Sequence, residues 1–194
     1  MPANIQRARE AAIQLLLEQN PATMPVQVQK LRFPVCVLFD SMEGFCRVTN
    51  ATMAQLREAG DYLRDGCTLI INRKGRRIYL VLYTNPSGRR LNFTLAHEVG
   101  HILLDHRQDG ELEEREANAF AAELLMPRIL ARELTRRLPE EAEPARELAQ
   151  TFSTSLSVAR LRLQHLAGHP TLLEQRLLKR YGPILPDPSR PLIL

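Results

Sequence analysis

The sequence predicts an α+β fold. Three observations carry this reading. Residues 68–72 (TLIIN) and 77–84 (RIYLVLYT) are rich in β-forming side chains and flank a turn at Arg73-Lys74-Gly75-Arg76, the pattern of a β-hairpin. Apolar residues recur at helical spacing on both sides of that hairpin. The acidic, proline-bearing stretch 139–147 (PEEAEPARE) divides a longer N-terminal part from a helical C-terminal part. The expected organisation is therefore a main domain over 1–138, a small helical subdomain over 139–182 and a proline-rich tail over 183–194.

The elements follow in order. Ile5, Ala8, Ala12, Leu15 and Leu16 predict a helix over 3–19, ended by Asn20-Pro21. Residues 26–31 suggest a short helix and 35–39 a strand. Met53, Leu56 and Leu63 predict a helix between about 50 and 64. After the hairpin, Asn85-Pro86-Ser87-Gly88 breaks the chain. Helices are then expected over 92–106, 112–126, 128–138, 145–152, 156–166 and 171–181. The tail PILPDPSRPLIL carries four prolines and is expected to be extended.

Composition narrows the function classes. In a chain of 194 residues, 44% are hydrophobic and 25% charged, ordinary globular values that exclude wholesale disorder. The net charge is +4, spread as 19 basic against 16 acidic residues over 1–138 and 7 against 6 over 139–194, so neither part is a basic arm. Direct DNA binding and membrane association gain little from that balance. No apolar run approaches the ~20 residues of a membrane span, and the charged N-terminus does not look like a signal peptide. Cys36, Cys46 and Cys67 are odd in number and form no CxxC pair, so a reducing, cytoplasmic setting is expected.

The most informative residues are His97-Glu98-Val99-Gly100-His101, an HExxH motif. Helical residues four apart differ by ~40° in azimuth, so both imidazoles leave one face and can bind one Zn²⁺. Glu98, ~100° further round, is displaced from the ligand direction but placed to touch a zinc-bound water. The metal lowers that water's pKa, and the carboxylate takes its proton during attack on a carbonyl and returns it to the leaving amine. A chance match in a chain of this composition is expected about once in a hundred. The apolar flanks (Leu95, Ala96, Ile102, Leu103, Leu104) argue for a buried helix, where unpaired histidines and a glutamate would be costly.

A catalytic zinc needs a third protein ligand and an open fourth position. A third histidine at the metzincin spacing is absent, because that position is Arg107. His106, five residues after His101, is ~140° around a continuing helix and is disfavoured as a ligand. The following helix offers Glu113, Glu114 and Glu116. Glu114 shares its face with Asn118, Ala121 and Leu125 and is preferred, with Asn118 set to support a neighbouring ligand; Glu116 and Glu113 remain alternatives. The Glu-x-x-x-Asn spacing resembles the third-ligand helix of thermolysin-like (gluzincin) peptidases.

Residues 92–104 (NFTLAHEVGHILL) and 114–127 (EREANAFAAELLMP) together resemble the ImmA/IrrE family of metallopeptidases. The helical pair around LAQTFSTS and RLRL, ending near residue 166, is similar to the segment that follows in that family. The resemblance implies a zincin-like domain, with a small β-sheet packed on the HExxH helix and on a second ligand helix, followed by a helix-turn-helix-like subdomain. It implies zinc held by His97, His101 and Glu114, with Glu98 as catalytic acid/base. It further implies cleavage of a protein partner, a helix-turn-helix transcriptional repressor whose loss releases the genes of a mobile element or stress regulon. The alternative is a non-enzymatic regulator that binds a repressor or DNA around a structural zinc.

Other features are weighed more simply. Segment 144–166 reads as a support or docking element more than a DNA reader, since few residues of its second helix could reach base edges. Thr154 stands where an apolar turn residue would be usual. Arg73–Arg77 with Arg89-Arg90 could form a positive patch that steers an acidic partner, though a solvated hairpin tip is the simpler reading. The strand over 77–84, if it lies at an edge, could pair with an extended substrate, and Tyr79 and Tyr83 on it could stabilise an oxyanion or simply pack.

Overall fold

The computed structural model describes residues 2–19, 24–55, 65–84, 88–108 and 110–187. Helix α1 (Ile5–Glu18) starts at Asn4, whose side chain accepts a hydrogen bond from the Arg7 N–H. Its stripe of Ala8, Ala12, Ile13, Leu15 and Leu16 is buried. A single 3₁₀ turn (Val28–Lys30) replaces the short helix expected over 26–31.

Strand β1 (Cys36–Ser41) passes directly into α2 (Met42–Thr49), which the sequence reading did not anticipate. Gly44 inside α2 blurs its signal, but the Ser41 hydroxyl caps the Gly44 N–H and Met42 is buried. The expected helix at 50–64 falls largely on residues 56–64, which lie outside the described residues, as do Asn85-Pro86-Ser87 and the end of the proline-rich tail.

Strands β2 (Gly66–Arg73) and β3 (Arg76–Tyr83) form the expected hairpin. Lys74 and Gly75 both have positive φ, +50° and +74°, and this two-residue turn matches the twist of the strands it joins. The sheet order is β1-β3-β2, with β1 parallel and β2 antiparallel to β3. Strand β3 is therefore central. Among the described residues β2 is an edge, so the expectation that the strand over 77–84 offers a pairing edge moves to its hairpin partner.

Six helices follow: α3 (Gly88–Leu103), α4 (Glu111–Leu125), α5 (Arg128–Arg137), α6 (Pro144–Thr151), α7 (Leu156–Leu163) and α8 (Leu172–Tyr181). Helix α4 lies between α3 and α1, and the sheet packs on α3 through β2 and β3. Helices α6 and α7 pack together and on α5, while α8 returns to α1 and α5. One buried cluster runs through all of this, from Leu16 and Val81 through Leu95, Phe120 and Leu130 to Phe152 and Leu177.

Helices α3 and α4 approach each other closely. A Cβ at Gly100 would stand 3.1 Å from Phe120 and 3.2 Å from the Ala117 backbone. Glycine on one helix and alanine on the other thus let the two backbones come close, with the Phe120 ring packed against Gly100.

Two polar features anchor the C-terminal helices. Glu123, 1% exposed, binds the Arg162 guanidinium at 3.0 Å and also accepts from the Arg128 N–H. Arg128 in turn pairs with Glu174, which completes a capping box with Thr171 at the start of α8. Arg162 is thereby turned inward, and the outward residues of α7 are Leu156, Ser157, Val158, Arg160 and Leu161, of which only Arg160 is charged. Neither fact suits a helix that reads DNA. Replacing Arg162 with Met leaves Glu123 buried without its cation and is expected to cost about 3–5 kcal/mol, measurable by urea unfolding. Thr154 is buried and its hydroxyl has no hydrogen-bond partner among the described residues. Thr154→Val keeps the shape, removes that unmet group and is expected to stabilise by about 1 kcal/mol in the same assay.

Candidate metal centre

Helix α3 carries the HExxH residues. Near its start, the Asn92 side chain accepts from the Val28 N–H and donates to the Val26 carbonyl, pinning the helix to the 3₁₀ segment. One and two turns later, His97 and His101 project from the same face, with their Nε2 atoms 3.0 Å apart. Both side chains are largely buried, at 16% and 14% exposure.

Helix α4 supplies the third group. The Glu114 carboxylate lies 3.5 Å from His97 Nε2 and 3.4 Å from His101 Nε2, and these three side chains form a group that could hold a metal ion. The other two acidic candidates are turned elsewhere. Glu113 folds back on the start of α4, bonded by its own N–H and by Gln108. Glu116 points to His106 at 3.2 Å and accepts from the Asn4 N–H at 2.6 Å.

The donor chemistry suits a cation. Asn118, one turn beyond Glu114, sits 3.1 Å from His97 Nδ1 through its Oδ1, so Nδ1 carries the proton and Nε2 presents its lone pair. Burial, reinforced by the neighbouring imidazoles of His97 and His106, pushes the His101 pKa down to about 4 and keeps its ring neutral near pH 7. Two imidazole nitrogens and a carboxylate thus converge at separations near the ~3.3 Å that a tetrahedral ion with ~2.0–2.1 Å bonds imposes on its ligands.

Glu98 takes no part in that convergence. Its carboxylate accepts a 2.7 Å hydrogen bond from the Thr68 hydroxyl on β2, the edge strand. Thr68 had no distinguishing signal in the sequence beyond its place in a β-rich run, because which strand crosses α3 is not a local property. His106 is the other residue whose place differs from expectation. Helix α3 does not continue past Leu104. Asp105 takes a left-handed conformation (φ +55°), and the His106 N–H bonds back to the His101 carbonyl while the Asp105 N–H bonds to that of Ile102. This reversal lays the His106 ring against His101 instead of ~140° away. Of the two tyrosines considered on β3, Tyr79 receives a hydrogen bond from Arg77, and Tyr83 packs against the core.

Cys67 lies beside Thr68 on β2. Burial, with the added charge of Glu98, raises its pKa to about 11. At pH 8 only about a thousandth of it is thiolate. In chelator-treated protein, iodoacetamide at that pH is expected to label the exposed Cys36 and spare Cys67, with Glu98→Gln speeding the reaction at Cys67; peptide mass mapping reads both.

Among the described residues, no helix is long and apolar enough to cross a membrane. Comparison with curated proteins gives no match. The family model described as the IrrE N-terminal-like domain, peptidase M78, matches residues 54–164, a span that contains β2, β3, the HExxH helix, the Glu114 helix and the helices through α7. The chain belongs to this ImmA/IrrE family of metallopeptidases.

Proposed function

We propose that the protein is a zinc-dependent endopeptidase whose metal is held by His97, His101 and Glu114 and whose acid/base is Glu98. The observation that carries this reading is the convergence of those three donor groups, within 4.8 Å of one another, beside a glutamate held from the opposite side by Thr68. Zinc fits the donor set best, although affinity alone does not select it over other divalent ions.

When bound, the metal supplies Lewis acidity at the scissile carbonyl and makes a water acidic near neutral pH. The remaining work falls to the chain. Asn118 fixes the tautomer of His97. Thr68 holds one Glu98 oxygen and orients the carboxylate, which takes the proton of the attacking water and delivers it to the leaving amine. An extended substrate segment pairs with the open side of β2, which carries Thr68 and so runs directly past Glu98. Such pairing suits a flexible or unfolded stretch of a protein. The substrate we favour is a cognate helix-turn-helix repressor, so that cleavage acts as an anti-repressor step in the cytoplasm.

Glu98→Gln removes the base while leaving all three proposed ligands. It is expected to retain near one zinc per chain, to trap the substrate from lysate, and to cleave the trapped protein at least ~10²-fold more slowly than wild type. Chelation of the wild type is expected to abolish cleavage, and added zinc to restore it. Cleavage by Glu98→Gln at the wild-type rate would overturn the mechanism. Full derepression by that variant in cells would instead favour a regulator that acts by binding.

A further inference from the structure

His106 belongs to no proposed ligand set, yet it is only 7% exposed and makes two side-chain contacts in line. Its Nδ1 lies 3.0 Å from His101 Nδ1, and its Nε2 lies 3.2 Å from a Glu116 oxygen. The other Glu116 oxygen is held by the Asn4 backbone N–H at 2.6 Å. That N–H, together with His106 and against the opposing effect of burial, keeps Glu116 below the usual carboxylate range.

These contacts define a direction. A carboxylate only accepts, so His106 Nε2 must carry a proton toward Glu116. A neutral His106 then has a bare Nδ1, which can only accept, and the proton between the two rings belongs to His101 Nδ1. That leaves His101 Nε2 without a hydrogen and facing His97 and Glu114. The opposite direction requires either a bare Nε2 of His106 against the Glu116 carboxylate or a doubly protonated His106, and in both cases it places an N–H of His101 where a ligand lone pair is required.

We propose that His106 is a positioning residue that, backed by Glu116, holds His101 in the tautomer and orientation that bind metal. The proposal rests on the reading of His101 as a ligand. It gives a role to the left-handed turn at Asp105, which brings the His106 ring over His101. It also ties the metal centre to the N-terminal helix, since Asn4 both caps α1 and holds Glu116. Through Glu116, α4 supports His101 in addition to offering Glu114.

The test compares wild type with His106→Phe, which keeps a ring but accepts nothing, and His106→Asn, whose amide oxygen can accept near the Nδ1 position. Zinc affinity is measured by competition with a chromogenic chelator, and the His101 tautomer in metal-free protein by ¹⁵N NMR. Wild-type His101 is expected to be protonated at Nδ1. His106→Phe is expected to bind zinc 10–100-fold more weakly and to move His101 toward the Nε2-protonated form, and His106→Asn to recover most of both. Wild-type affinity and an unchanged tautomer in His106→Phe would overturn the proposal, as would a wild-type His101 protonated at Nε2. That last measurement needs no variant and decides the matter even if His106→Phe fails to fold. If wild type takes up no zinc at all, the metal reading itself fails, whereas zinc bound equally by wild type and His106→Phe defeats only the role of His106.

Discussion

The arrangement of the whole centre depends on how closely α3 and α4 approach. Gly100 lies inside the HExxH motif, and the atoms nearest to where its Cβ would be belong to Ala117 and Phe120 of α4. A side chain at Gly100 would press against Ala117 and Phe120 and force the two helices or the Phe120 ring to give way. The carboxylate of Glu114 reaches both imidazoles only because the backbones touch one turn away. Packing and chemistry are therefore one constraint here. Gly100, just before the second histidine, is small because its neighbour must come close, and the closeness delivers the third donor.

Around this contact, the polar groups of the centre meet partners from outside the HExxH turns: His97 meets Asn118 on α4, Glu98 meets Thr68 on β2, and His101 meets His106, five residues on and folded back by the turn that ends its own helix. The sheet thus contributes more than a platform. Strand β2 presents the Thr68 hydroxyl to Glu98, and among the described residues no strand pairs with its other side. In the proposed reading an extended substrate segment added there meets the Glu98 carboxylate, which favours cleavage of chain that is locally unfolded over attack on packed structure.

The C-terminal helices serve this centre indirectly. Glu123 of α4 is locked to Arg162 of α7 and to the start of α5, so the helix that carries Glu114 is clamped at its far end. With Arg162 buried in that ion pair, the helical pair serves as a support for α4.

Much of the site was legible in sequence because helices are periodic. Spacings of four within HExxH and between Glu114 and Asn118 place pairs of side chains on one face whatever the surroundings, and the hairpin was marked by a turn glycine between β-forming runs. Helix α2 was missed because its cap and its interior glycine point in opposite directions. What the sequence could not decide are the relations between elements. It could not say that β3 is central and β2 the edge, since pairing partners are set by packing and not by local preference. It preferred Glu114 by helix face but could not exclude Glu113 and Glu116, which lie within four residues on one helix and part only when that helix is set against α3 and α1. Nor could it place His106, because a helix extrapolated one turn too far points that ring away from the histidine it touches. Residue types and spacing determined which donors exist; only the tertiary structure decided where they converge, because convergence depends on interhelical distance and on how each helix ends.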